Sequence, residues 1–309
     1  MTDKQKQRQM LIRNIMKHKV LYLFILPAAI WYLIFCYWPM TGILMAFKNY
    51  KFNLGVWGSP WVGLKYFQKF MADSAFWQVF LNTVIISGLK LLCSFPAPII
   101  LALLLNELWN GKFKRTIQTV SYLPNFVSWV VVVTILQAFF SPYSGVVNNI
   151  RQSAFGAQPI FFLGEQHYFY PLVILSDIWK NVGWGSIIFL SAISGVSQEL
   201  YEVVYIDGGG RLRCMWHVTI PAILPTIAIM FIFAAGGILS AGYDQILLLQ
   251  QPGNLNVSEI IDTYVLKQGI AHGNFAYATA VGLFKSVFAF MLMYAVNFTS
   301  RKLSEVSLW

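Results

Sequence analysis

Four ionisable side chains stand inside long apolar runs of this sequence: Lys90, Asp177, Lys180 and Lys285. A charge at the centre of a bilayer costs roughly 2.5–3.5 kcal/mol even on insertion scales, so each should face protein or water. Two kinds of chemistry suit them: a polar lining for a solute path, or structural ion pairs along and between helices. Asp177 and Lys180, three residues apart, would be neighbours on one helix face and could pair there. An acid and a base so placed also suit a relay driven by an ion gradient. Trp179 and Trp184 flank Lys180 and offer flat ring faces to a solute in that path, or packing bulk. Tyr243 and Asp244, near the end of a later apolar run, are further polar candidates for the same path.

The second stretch of interest is Glu199 to Pro225, ELYEVVYIDGGGRLRCMWHVTIPAILP, the most polar break in the second half of the chain. Leu200 and Val204, one turn apart, predict a short helix with Glu202 on another face. Asp207-Gly208-Gly209-Gly210 predicts a sharp reversal, since glycine reaches positive φ without a steric penalty. Asp207 is placed to cap the helix that follows. Pro221 and Pro225 then open the next apolar run, where a first helical turn tolerates a missing N–H.

Catalytic chemistry is not visible. Gly111-Lys112 lacks the rest of a G-x-x-x-x-G-K-[ST] phosphate loop, so no ATPase site of that kind is expected in this chain. His18, His167, His217 and His272 have no metal-ligand spacing, and no metal site is expected. No G-x-S-x-G elbow occurs. Cys36, Cys93 and Cys214 supply no disulfide framework. No cofactor is expected in this chain, and an enzyme acting on lipid-linked sugar is disfavoured for want of catalytic groups.

The elements that must position these residues are membrane spans. The chain has 309 residues, 57% hydrophobic and 11% charged, with mean hydropathy +0.60. A soluble domain carries about 25% charged residues. Six apolar runs meet the length of about 20 residues needed to cross a bilayer. They lie near Val20–Phe47, Phe76–Leu105, Thr116–Phe140, Tyr168–Val196, Ala222–Leu249 and Phe275–Ser300. The predicted fold is all-α: an integral membrane bundle of six transmembrane helices in a single domain, residues 20–309, after a basic segment, 1–19. The net charge of +10 is better assigned to lipid headgroups and orientation than to nucleic acid, because the cations cluster at span ends. Lys4, Lys6, Arg8, Arg13, Lys17, Lys19, Lys112, Lys114, Arg115, Arg211, Arg213, Arg301 and Lys302 fall on one side. Lys48, Lys51, Lys65, Lys69, Arg151 and Lys267 fall on the other. The richer side is predicted to be cytoplasmic, with both termini and the 199–225 loop.

That loop resembles the EAA coupling loop of ABC-importer permeases. The family pattern, Glu-Ala-Ala-x-x-Asp-Gly-Ala with a later aromatic position and Leu-Pro, meets Glu202, Asp207, Gly208, Gly209, Met215 and Pro221. Here Val203 and Val204 replace the alanines, and Met215 stands at the usual phenylalanine position. Asn82-Thr83, Leu123-Pro124 and Tyr243-Asp244-Gln245 look like the sugar-permease pattern. Ile260 to Val265, Gly269, Tyr277 to Lys285 and Ser307-Leu308-Trp309 resemble a subfamily serving importers of large oligosaccharides released from pectin- or alginate-type polysaccharides. The similarity covers about residues 18–309. It implies a type I importer permease fold working by alternating access in the bacterial cytoplasmic membrane. It also implies a second permease subunit, a cytoplasmic ATPase dimer that binds ATP and magnesium, and an extracellular solute-binding lipoprotein. The alternative reading is an ion-coupled secondary transporter built on Asp177 and Lys180, although the two halves show no internal repeat.

Overall fold

The computed structural model describes residues 16–304. Most of the basic segment 1–19 and the closing Ser307-Leu308-Trp309 lie outside the described residues. The chain runs through α1 (Lys19–Phe47), α2 (Ser74–Asn106), α3 (Gly111–Phe126), α4 (Trp129–Phe140) and α5 (Val146–Phe155). It continues through α6 (Gln166–Ser194), α7 (Gln198–Ile206), α8 (Arg211–Gly236), α9 (Tyr243–Leu249), α10 (Ile261–Leu266) and α11 (Phe275–Ser304). Among the described residues the only β pairing is an isolated bridge between Lys48 and Trp61. Five helices, α1, α2, α6, α8 and α11, are each long and apolar enough to span a membrane.

Prolines shape three of these rods in one way. A proline lacks the N–H that would bond the carbonyl four residues back, and its ring crowds that carbonyl. The carbonyls so affected by Pro39, Pro96 and Pro221 belong to Phe35, Leu92 and His217. Each lies at the centre of a wider π turn: Leu33–Tyr37, Lys90–Ser94 and Met215–Thr219. The π turn moves the carbonyl off the ring and lets the helix continue, so each rod passes its proline unbroken.

Two expected spans are corrected. The third is not one helix: α3 and α4 meet at a bend of 101°. Pro124 tightens the end of α3 into a 3-10 turn, Val127 and Ser128 are extended, and the Ser128 hydroxyl caps α4 by accepting from Val131 N at 3.4 Å. The fifth begins earlier and ends sooner than Ala222–Leu249. It starts at Arg211 in the polar loop, so Pro221 and Pro225 sit well inside it. It stops at Gly236, a 3-10 turn follows over Ile238–Ser240, and Ala241 and Gly242 then take left-handed backbone angles (φ 49° and 78°) that turn the chain into α9.

Packing follows from small residues rather than from water exclusion, which is absent between helices in lipid. α6 lies along α2, α8 along α11, and the end of α1 on α11. A Cβ on Gly183 would overlap the Ser121 carbonyl, so α6 and α3 touch backbone to backbone; one on Gly185 would stand 2.9 Å from Pro98. Buried clusters lock the ends of the rods. One joins Phe70, Phe76, Ile261 and Tyr277; another joins Leu105, Phe189, Ile193 and Ile223. α1 is different: apart from Ala46 it buries nothing, and Phe24 is 79% exposed. Such an apolar rod suits hydrocarbon or another membrane chain.

Candidate functional site

Two of the four charged side chains of the spans, Lys90 and Asp177, are brought into a connected polar network within the bundle, with partners the spacing did not indicate. Lys90 Nζ lies 3.1 Å from Asp177 Oδ1 and donates to Gln245 Oε1 at 2.6 Å. Gln245 is fully buried and donates in turn to Val173 O and Ser176 Oγ, both at 2.8 Å. Asp177 also accepts from Asn181 at 3.2 Å, and Asn181 accepts from Asn125 at 3.3 Å. This chain of bonds ties α2, α6 and α9 to the end of α3. Gly242 belongs to it sterically, since a side chain there would collide with the Lys90 ammonium.

The pairing of Asp177 with Lys180 is overturned. Lys180 turns away to the break between α3 and α4, where its ammonium donates to the carbonyls of Asn125 (2.7 Å), Val127 (2.6 Å) and Pro124 (3.4 Å). Asn125 O belongs to the last turn of α3 and Val127 O lies just past it, while Pro124 O also accepts from Val127 N at 3.2 Å; a cation suits the negative end of the helix dipole. Lys180 therefore holds open an irregular stretch that hydrocarbon could not solvate. Its ammonium also lies 5.6 Å from the Trp129 ring. Lys285 makes a two-pronged pair with Asp262 of α10, at 2.5 and 2.7 Å.

The remaining candidates separate. Trp184 follows Asp177 and Asn181 at one- and two-turn spacing on the same face of α6 and meets Phe126 edge-on at 5.6 Å. Trp179 sits instead in an apolar groove with Val132, Ile135, Phe139 and Leu175, away from the polar face. Asp244 is exposed and Tyr243 half-buried at the start of α9. Their neighbour Gln245 carries the buried contact.

The 199–225 loop folds as a helix, a reversal and a second helix. α7 ends with Asp207 at the C-cap and Gly208 at φ 75°. Gly208 N donates to Tyr205 O at 3.0 Å and Gly209 N to Val204 O at 2.8 Å, the two bonds of a Schellman ending. Gly209 is crowded, with a Cβ there falling 2.5 Å from the Val204 side chain. Asp207 does not cap the following helix: that N-cap is Gly210, three residues on, which offers no side-chain acceptor. Two contacts brace the loop, one between α7 and α8 and one to the connection between α2 and α3. Tyr201 Oη meets Thr219 Oγ1 at 3.1 Å, and the Arg211 guanidinium covers the Trp109 ring at 4.8 Å. The loop leaves an apolar ridge outside among charged residues: Leu200, Val203 and Leu212 are exposed, Ile206 is 85% exposed, and Glu199, Glu202, Arg211 and Arg213 are exposed around them. Met215 is half-buried behind them, packed against the cluster of Leu105 and Ile223.

Spanning rods around a polar midline, a broken central span and a rigid polar reversal between two spans define a solute-transport permease without catalytic groups. Residues 94–305 match the family described as binding-protein-dependent transport system inner membrane component, and the chain belongs to that family. It is a non-catalytic ABC permease subunit, a multi-pass inner-membrane component of a binding-protein-dependent transport system. The ion-coupled reading is thereby set aside. The chain is 45% identical to protein LplB of Bacillus subtilis (strain 168), over 95% of this chain and 92% of that protein. It is 42% identical to the polygalacturonan/rhamnogalacturonan transport system permease protein YteP of the same organism, over 99% and 95%. The fold matches a chain in the crystal structure of a bacterial ABC transporter involved in the import of the acidic polysaccharide alginate. The TM-score there is 0.89 at 37% identity, covering 95% of this chain and 99% of that one.

Sequence reasoning missed Asn125, Asn181 and Gln245 as members of the network, and Asp262 as the partner of Lys285. Polar residues within apolar runs were the available signal, but amides are common enough to pass as packing.

Proposed function

We propose that this chain forms one half of the membrane pore of an ATP-driven importer for oligosaccharides derived from complex polysaccharides of the pectin or alginate type. The observation that carries the reading is the outer face of the 199–225 loop. An exposed ridge of Leu200, Val203 and Ile206 beside Glu202, on a helix locked by a glycine reversal, is built to receive a partner. Exposed apolar patches rimmed by polar residues mark interaction sites. The partner is a cytoplasmic ATPase dimer, which supplies the ATP and magnesium site this chain lacks. Met215, Pro221 and Pro225 continue the lever into α8, so movement of the loop is passed directly to a span. A second permease subunit completes the pore, and an extracellular lipoprotein delivers the saccharide. The kinship with YteP and with the alginate transporter supports the substrate class. Residues 20–309 then act as one permease domain with both termini in the cytoplasm.

Closure of the ATPase on ATP would draw the two loops together and rock the half-pores to open outward. Hydrolysis restores the inward-facing state. Two global states favoured differently by ATP and by loaded lipoprotein are what such coupling requires. The test is transport in proteoliposomes holding both permeases and the ATPase. Uptake of a galacturonate or alginate oligosaccharide should require internal ATP and loaded binding protein. Uptake driven by an ion gradient alone, or no saccharide uptake in a fully energised complex, contradicts the proposal.

A further inference from the structure

The chain between α1 and α2 carries an exposed aromatic surface on a rigid loop, which neither the polar network nor the 199–225 loop uses. Lys48 follows the last residue of α1 and is buried. Its ammonium donates to Val56 O at 2.9 Å and Trp57 O at 3.1 Å, and lies 5.0 Å from the centre of the Trp61 ring. Backbone bonds close the base of the loop: Asn49 N donates to Pro60 O at 2.8 Å and Val62 N to Phe47 O at 2.9 Å. Inside it, Lys51 N donates to Ser59 Oγ at 3.0 Å, and that hydroxyl donates to Gly55 O at 2.6 Å. Polar bonds therefore fix residues 48–61 from within, while their large apolar side chains stay outside. Phe52 is 87% exposed and Trp57 70%, with Leu54 and Trp61 exposed beside them.

Three features identify what covers these side chains. The helical turn Gly55–Gly58 packs back on Trp38–Phe47, the end of α1, so the loop folds beside the rod rather than standing off its tip. That rod is apolar and exposed over most of its length, Trp38, Met40 and Ile43 included, so rod and loop form one continuous apolar surface. The segment from Lys48 to Met71 also holds Lys48, Lys51, Lys65 and Lys69 and no carboxylate, and Lys51 and Lys65 are exposed. Aromatic rings at the edge of hydrocarbon, beside cations that reach headgroup phosphates, are the chemistry of a membrane interface. A soluble protein docked there would have to share the surface with the bilayer around α1.

We infer that residues 48–65 are an interfacial anchor. Phe52, Leu54 and Trp57 seat in the leaflet opposite the 199–225 loop, with Lys51 and Lys65 at anionic phospholipid headgroups. Lys48 gives the anchor its shape by holding the Val56 and Trp57 carbonyls. The anchor sets the depth of the far end of α1, a rod that buries almost nothing in its own bundle. Neither the saccharide nor the ATPase enters this inference, so it stands or falls apart from the proposed function.

The experiment places a nitroxide on the purified importer complex through Phe52→Cys or Trp57→Cys, in a chain carrying Cys36→Ala and Cys93→Ala. Cys214 is buried and is kept. Both replaced side chains are exposed, and the carbonyls that Lys48 holds are unchanged. A third label, through Gln158→Cys, marks an exposed loop position on the same side in the proposed topology. The complexes are reconstituted in phosphatidylcholine vesicles with or without phosphatidylglycerol. Electron paramagnetic resonance then compares collisions of each nitroxide with oxygen, which concentrates in the bilayer, and with a water-soluble nickel chelate. With phosphatidylglycerol present, oxygen collisions should exceed nickel collisions several-fold at 52 and 57, and the order should reverse at 158. Adding Lys51→Glu and Lys65→Glu should raise nickel access at 57 about twofold in those vesicles and leave it unchanged in phosphatidylcholine alone. An excess of nickel collisions at 52 and 57 puts the loop in water and overturns the anchor. Low access to both reagents means that protein covers the loop, and overturns it equally. A lysine effect that is the same in both vesicles, or absent from both, overturns the assignment to anionic lipid.

Discussion

Lys90→Met tests whether the midline charges are structural. In the native bundle, attraction between Lys90 and Asp177 at 3.1 Å amounts to about 5 kcal/mol at an effective dielectric of about 20. Removal of both groups from water offsets much of it. The substitution leaves Asp177 without its cation, and breaking a buried pair in this way costs roughly 3–5 kcal/mol. It also strands the Gln245 oxygen that accepts from Lys90 at 2.6 Å, for about 1–3 kcal/mol more. Protonation of Asp177 relieves part of the damage, so the net loss should be about 3–5 kcal/mol. Asp177→Asn alone should cost a comparable amount, because Lys90 then keeps only Gln245. The double variant Lys90→Met/Asp177→Asn holds no uncompensated charge, and its loss should fall to about 1–3 kcal/mol, the orphaned Gln245 acceptor. The double variant is therefore more stable than Lys90→Met. The assay is the midpoint of heat-induced loss of the assembled complex, followed by gel filtration. Losses that add in the double variant refute the reasoning. So do three variants of wild-type stability with abolished uptake, which would make Lys90 a solute contact.

Lys180→Met should destabilise the complex by about 2–4 kcal/mol, because two short charge-assisted bonds to carbonyls at the break are lost; increased labelling of a cysteine placed at Ser128 would report the loosened break. Gly183→Val should lower folded yield sharply, since the added carbons meet the Ser121 backbone and overpacking costs roughly 1–3 kcal/mol or more where neither helix can yield; membrane-inserted protein measured by quantitative blot checks it. Single cysteines at the exposed positions Gln158 and Gln198 should label from outside and inside respectively; outside labelling at Gln198 contradicts the proposed topology.

The spans were legible because length and apolarity are all a bilayer requires, and the ends of α1, α2 and α6 fall within a few residues of the expected runs. The glycine reversal was legible because φ 75° at Gly208 demands the residue found there. The break at Val127 and Ser128 was hidden, since an apolar run resumes at once from Trp129 and the polar residues before it are few. What makes the break is Pro124 followed by a serine cap, together with a lysine on α6 more than fifty positions later, and no local pattern couples those. For the same reason Asp177 was assigned the neighbour three residues away. Its real partner, Lys90, comes from another helix, and only tertiary packing selects it. Asn82 and Thr83 are similar: they bond the carbonyls of Asn256 and Glu259 and the N–H of Ile261, fixing α2 to the chain before α10.

The central claim is that the 199–225 loop transmits ATPase closure to the spans, and Gly208→Val tests it most directly. A side chain forced into the left-handed region costs roughly 1–2 kcal/mol, more when β-branched. Nothing lies near the missing Cβ, so the penalty acts on the reversal and not on packing. The measurement is sugar taken up per ATP hydrolysed by the reconstituted complex, with bound ATPase quantified in the same preparation. The account predicts a correctly inserted permease that recruits the ATPase poorly or hydrolyses ATP without moving sugar. Wild-type recruitment, hydrolysis and uptake in Gly208→Val would contradict it and reduce the loop to a connector.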